Sequence, residues 1–182
     1  MRTEPATASL PRFDCGAMFA ALDAQRRERE LDWPALAEAL WAQSEALNAA
    51  EAAGHSICPG AVVRVQQRGT ISCQYAMFML RWLDRAPEDF LIGDVADVGQ
   101  TSLPAAGSDR RLRWDLSQLH AAVNEQRAER GLTWSALANE LGCSPSRLTN
   151  LRTARLADLE LTMRITQWLR RPAAEFIHPA AW

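Results

Sequence analysis

The sequence predicts an all-α fold built from two tandem copies of one helical unit, and three observations predict it. Residues 12 to 40 align without a gap on residues 113 to 141 at a constant offset of 101, with 14 of 29 positions identical. The match resumes at an offset of 86, where residues 59 to 91 face residues 145 to 177 and Pro59/Pro145, Met77/Met163, Trp82/Trp168, Leu83/Leu169, Arg85/Arg171 and Phe90/Phe176 are identical. In both copies apolar residues recur at helical spacing between capping residues. Self-similarity of this length marks a duplication. The change of offset from 101 to 86 places a 15-residue insertion in the first copy, between its second and third helices. The expected organisation is a first domain over residues 12–91, a linker over 92–111 and a second domain over 112–178, with about five helices in each domain.

The second copy is the simpler to read. Its first helix is expected over about Asp115 to Arg130, with Leu116, Leu119 and Val123 on one stripe and Gly131 ending it. Thr133 can cap a second helix over Trp134 to Leu141, and Gly142 can take the left-handed conformation that stops it. Ser144 then offers another cap with Pro145 at the first helical position, where a missing N–H costs nothing. This third helix is expected to reach about Arg152. Leu137, Ala138 and Leu141 share a small core with Leu148 and Leu151, which leaves Ser146, Arg147, Thr149 and Asn150 facing outward. ADLELTMRITQWL makes a fourth helix, Arg171-Pro172 interrupts it, and AAEFI forms a short fifth whose Phe176 packs back.

The first copy follows the same order with one change. Helix one is expected over about Asp14 to Arg29, and helix two begins after the cap Asp32. No breaker follows Pro34 and helix propensity is high as far as Ala53, so this second helix is expected to be lengthened to about twice its counterpart and to end at Gly54-His55-Ser56. Pro59 to Gln67 occupies the place of the third helix, with Gly60, Ala61, Val63 and Arg64 at the outward positions. Residues 92–111, with three glycines, a proline and several small polar residues, read as linker.

Composition narrows the function classes. The 20 basic residues are all arginine, and the net charge is −2. Residues 12 to 90 carry 8 Arg against 11 acids, whereas residues 109 to 178 carry 11 Arg against 8. No acid lies between Glu140 and Asp158, where Arg147, Arg152 and Arg155 are found, nor between Glu51 and Asp84, where Arg64, Arg68 and Arg81 are found. Local charge is what a phosphate feels. The opening MRTEPATASLP has no apolar run and no segment approaches the roughly 20 apolar residues that span a bilayer, so a cytoplasmic protein without membrane contact is expected. Cys15, Cys58, Cys73 and Cys143 form no CxxC pair and are expected as free thiols. His55, Cys58 and Cys73 are the best metal set, but three ligands at irregular spacing fall short of the four a structural zinc takes, so no metal or cofactor is expected. His55, His120 and His178 have no triad-like company and no phosphate loop is present, so no enzyme is expected.

A helix face of Ser, Arg, Thr and Asn suits a DNA major groove: Arg pairs with guanine, Asn with adenine, and hydroxyls with bases or phosphates. Residues 132–155, LTWSALANELGCSPSRLTNLRTAR, followed by the helix ending in QWLRRPAAEF, resemble the phage-repressor-like (XRE-type, lambda-repressor-like) helix-turn-helix family over about residues 112–178. The resemblance implies a transcriptional regulator that binds double-stranded DNA sequence-specifically, with the third helix in the major groove. Ser146, Arg147, Thr149 and Asn150 would then meet base edges, and Thr133, Trp134, Ser135, Ser144, Arg152 and Arg155 would hold phosphates. In the first copy Arg64, Gln67 and Arg68 form a candidate second DNA surface, and that copy is also a candidate homodimer contact. The alternative is a protein-interaction or dimerisation module on the same fold, motivated by the apolar run YAMFML at 75–80 and by the long helix of the first copy.

Overall fold

The computed structural model describes residues 9–51 and 56–182. The first copy runs β1 (Arg12–Phe13), α1 (Cys15–Glu28), α2 (Trp33–Ala42), α3 (Glu45–Ala50), α4 (Pro59–Arg68), α5 (Cys73–Leu83), a 3-10 turn (Pro87–Phe90) and β2 (Leu91–Ile92). The second runs β3 (Arg111–Trp114), α6 (Leu116–Glu129), α7 (Trp134–Leu141), α8 (Pro145–Thr149) with a 3-10 turn over Asn150–Arg152, α9 (Leu159–Leu169), a 3-10 turn (Ala173–Phe176) and β4 (Ile177–Ala180). The described chain is mostly helical.

The repeat seen in the sequence is repeated in the bonds. Asp14 and Asp115 cap α1 and α6, accepting from Ala17 N and Gln118 N. Gln25 and Gln126 donate to the carbonyls of Trp82 and Trp168, which ties the first helix of each copy to the helix before its closing turn. Arg29 and Arg130 lie over those same tryptophan rings at 4.6 and 4.4 Å. Asp84 and Arg170, equivalent at offset 86, both end their helices at positive φ, 52° and 53°. Glu30 has φ 56° where its counterpart is Gly131, so one copy places an ordinary residue in the left-handed region that the other gives to glycine.

The all-α expectation is incomplete at the edges. Each copy is closed by a short antiparallel ladder between its first and last residues, Arg12–Phe13 with Leu91–Ile92 and Arg111–Trp114 with Ile177–Ala180. Strands of two to four residues carry too little periodicity to be read from sequence.

The lengthened second helix is not there. α2 stops at Ala42, and α3 restarts at Glu45 around Ser44, whose φ of −123° and ψ of 41° leave the helix. Local propensity favours continuation, but the break satisfies long-range partners. Gln43 Nε2 donates to the carbonyls of Leu40 and Phe78, the buried Ser44 hydroxyl donates to Arg110 O, and Leu47 N donates to Ser108 O. A continuous helix would draw the Ser44 and Leu47 groups away from residues 108–110. Ala53 and the expected stop at Gly54-His55 lie outside the described residues.

Residues 93–110 have no helix or strand, yet they are tied down along their length. Ala96 N donates to Gln167 Oε1 at 2.8 Å, and the Arg81 guanidinium donates to the carbonyls of Ala106, Gly107 and Arg110.

The two copies share one continuous cluster of buried side chains. β3 of the second copy packs on α5 of the first, and β1 of the first packs on α9 of the second. Between them Cys73 N donates to Ala157 O at 2.8 Å, and Leu159 N donates to Ile71 O at 2.9 Å. Ser72 and Asp158 form the bridge pair at that point. Ser72 and Asp158 are equivalent at offset 86, and the same offset turns each of the two flanking bonds into the other, Cys73 standing for Leu159 and Ile71 for Ala157, so the copies are related by an approximate twofold axis through this bridge. Gln74, 2 % exposed, adds a buried clamp: its Oε1 accepts from Trp114 N and its Nε2 donates to Trp114 O, both at 2.9 Å, and to Arg155 O at 3.2 Å. Replacing Gln74 by Ala strands the Trp114 amide and carbonyl, and the expected loss is about 2–4 kcal/mol. Urea denaturation measures it, and an unchanged midpoint would contradict the clamp.

Candidate nucleic-acid interface

The segment Thr133–Arg155 is positioned from four directions. Thr133 Oγ1 accepts from Ala136 N at 3.1 Å and starts α7. Gly142 ends α7 at φ 64°, and Arg164 of α9 donates to Leu141 O beside it. A Cβ at Gly142 would stand 2.8 Å from Arg164 Nη1. Arg127 of α6 donates to Leu132 O and fixes the entry to α7. Leu148 and Leu151 are buried against Leu137, Ala138 and Leu141. These contacts hold α7 and α8 at a fixed angle across the turn Gly142–Ser144.

That packing leaves the expected residues outside. Ser146, Arg147, Thr149 and Asn150 are all exposed, as are Thr133, Ser135, Ser144, Arg152 and Arg155. The third helix differs from expectation in its last turn, which tightens to 3-10 over Asn150–Arg152. Ser144 stands at the cap position of α8, but its hydroxyl does not cap: its Oγ lies 3.1 Å from Ser146 Oγ. Thr149 Oγ1 donates back to Ser146 O at 3.3 Å.

Trp134, an expected phosphate contact, stands where the first copy has Trp33, an identity that itself points to shared packing. It is half-buried, with the His120 ring stacked at 5.3 Å and the Arg127 guanidinium at 4.7 Å from its centroid. Trp33 is held in the same way by Phe19 at 5.4 Å and Arg26 at 4.4 Å. With both neighbours in place at both positions, the tryptophan is a packing residue. Burial first and Arg152 second lower the His120 pKa, which favours the neutral imidazole against the indole. Arg155 is also partly engaged, its guanidinium 6.0 Å from the Trp182 ring.

The charge of the face follows from which arginines lack a partner. Arg26, Arg27, Arg85, Arg110, Arg111, Arg164 and Arg171 each pair with a carboxylate. Among the described residues Arg147, Arg152 and Arg155, and Arg64 and Arg68 of α4, form no ion pair, and neither do Arg12, Arg29, Arg81, Arg113, Arg130 and Arg170. Arg64 Nε donates to Gly60 O of its own helix, and Arg68 and Gln67 are exposed. Of the first copy's outward positions, Gly60 and Arg64 are exposed while Ala61 and Val63 are half-buried. α2 and α4 are separated by α3 and the following residues, so no short turn joins them.

Several positioning residues escaped the sequence reading. Gln126 and Arg127 are identical in the other copy, a signal that could have marked them; Gln74 corresponds to Glu160, so the repeat carried no signal for it. Burial raises the thiol pKa of Cys15 and Cys73 to about 11 and raises that of Cys143 as well. Among the described residues no three His, Cys, Asp or Glu side chains gather as a metal site, and His55 lies outside them. No described helix is long and apolar enough to cross a membrane. The YAMFML run is taken up inside the chain, with Ala76, Met77, Met79 and Leu80 buried and Tyr75 and Phe78 half-buried. No protein-family model, curated protein or solved structure matches the chain.

Trp134→Ala is expected to lower stability by roughly 2–4 kcal/mol through lost packing. Thermal unfolding beside a DNA-binding titration separates the roles: an unchanged melting temperature with lost affinity would return Trp134 to the ligand face.

Proposed function

We propose that this protein is a sequence-specific double-stranded DNA-binding transcriptional regulator of the phage-repressor-like helix-turn-helix type, with α8 in the major groove. The observation that carries the reading is the face Ser146, Arg147, Thr149, Asn150 and Arg152: exposed, without an acid among its neighbours in sequence, and with its arginines outside any ion pair. Arg147 can donate two bonds to guanine O6 and N7, and Asn150 can pair with adenine N6 and N7. Ser144, Ser135 and Thr133 supply hydroxyls at the start of α7 and α8, and Arg152 and Arg155 supply charge for phosphates. Packed on Leu148 and Leu151, the helix keeps its readers in a fixed register, which direct readout requires.

Arg147→Ala and Asn150→Ala are each expected to weaken binding to a selected duplex by about 1–3 kcal/mol and to relax preference at one base pair. Both side chains are exposed, so circular dichroism should be unchanged. Selection from random duplexes followed by titration of the variants is the test; wild-type affinity in both would refute the reading.

A further inference from the structure

We infer that a single chain is the complete DNA-binding unit, a built-in pseudo-dimer that takes a duplex with two unlike halves. One half is read at its base edges by α8; the other is held at its phosphates by Arg64 and Arg68 of α4. The inference rests on α8 being a major-groove reader and adds what lies across the approximate dyad.

The copies meet reciprocally at the bridge: the equivalent residues Ser72 and Asp158 pair, and the bonds Cys73 N to Ala157 O and Leu159 N to Ile71 O are each other's counterparts. This is the reciprocity of an isologous dimer, here within one chain. A twofold relation puts equivalent elements at the same height along the axis, so α4 and α8, which precede the two bridging segments, stand level with each other on either side of it. Clefts flank the bridge on both sides. One, of about 630 Å³, is lined by Ala61, Arg64 and Arg68 of α4 together with Thr70, Leu156 and Asp158. The other, of about 230 Å³, is lined by Arg147 with Thr70, Asp158 and the ion pair Glu160–Arg164. Ala61 and Arg147 are equivalent at offset 86, and each lines the cleft of its own copy.

The halves differ in what they offer. Where α8 has Ser146, Arg147, Thr149 and Asn150, α4 has Gly60, Ala61, Val63 and Arg64. Base-edge donors are largely gone, but cations are not. Arg68 stands where the second copy has Ala154, and the helix carrying it runs on to that residue, whereas the regular helix of α8 ends at Thr149. Arg64 and Arg68 can therefore grip backbone without sequence preference. Asp158, the acid in both clefts, accepts from Glu160 N at 2.9 Å and Leu161 N at 3.4 Å, so its carboxylate is turned to the start of α9. The surfaces with which one copy would bind another are already occupied by β1 on α9 and β3 on α5. A second chain is not needed to present two third helices.

The test uses the full chain and the duplex it selects from a random pool. Light scattering should give one chain per duplex, with sequence information confined to one half and ethylation interference extending to both. In the Arg64→Ala/Arg68→Ala double variant affinity should fall about ten- to a hundredfold. Its dependence of log affinity on log salt should become shallower by about two, because two phosphate contacts are lost. Its preference for the selected over a scrambled reading half should stay at the wild-type ratio. Two chains on a palindrome, with the double variant binding as wild type, would overturn the pseudo-dimer and leave α8 as reader. No enriched sequence at all would overturn the α8 reading itself, and with it this inference.

Discussion

Two backbone amides, those of Cys73 and Leu159, donate to the carbonyls of Ala157 and Ile71, and the arrangement of the whole chain follows from that exchange. It frames the pairing of Ser72, just before α5, with Asp158, just before α9, so α5 and α9 start beside each other. β1 then lies on α9 and β3 on α5, and the buried side chains of both copies merge into one cluster. Gln74 completes the junction by satisfying both backbone groups of Trp114 inside a buried site, where an unmet pair would be costly. The same side chain reaches Arg155 O, which couples the junction to the end of the exposed segment Ser144–Arg155.

Duplication followed by divergence separates two kinds of residue. Gln25/Gln126, Arg26/Arg127, Arg29/Arg130 and the paired tryptophans make the same contacts in both copies, and these contacts build the unit. The outward side chains of α4 and α8 have no such constraint, and they differ at each of Gly60/Ser146, Ala61/Arg147, Val63/Thr149 and Arg64/Asn150. In the first copy α3 stands between α2 and α4, where the second copy has the short turn Gly142–Ser144. That helix packs toward residues 108–110 through Ser44 and Leu47, so the insertion helps anchor the connection between copies.

The helices were legible wherever a cap and a period coincided: Asp14, Asp32, Asp115 and Thr133 each bind an amide three residues on, as residues of that type do at a helix start. Reading failed where a distant group decided. Nothing local distinguishes Gln43–Ser44 from the helix around it, because the partners that break the helix are Phe78 O and Arg110 O. The short ladders at the ends of each copy have the same explanation: strands of two to four residues are held by their partner rather than by their own pattern. At the candidate interface the exposed residues were legible from the apolar positions of Leu148 and Leu151. The stacking of Trp134 on His120 was not, since it depends on α6 crossing α7.

By itself, then, the sequence determined the repeat, the positions of the helices, and which side of α8 faces outward, because caps and apolar spacing act within a turn or two of the chain. Only the tertiary structure decided that the two copies face each other across an approximate dyad, that the second helix of the first copy breaks at Ser44, and that the ring stacked on Trp134 is His120. Each of these depends on a partner about fifteen to ninety residues away, and a buried backbone group or aromatic face accepts whichever partner the assembled core presents.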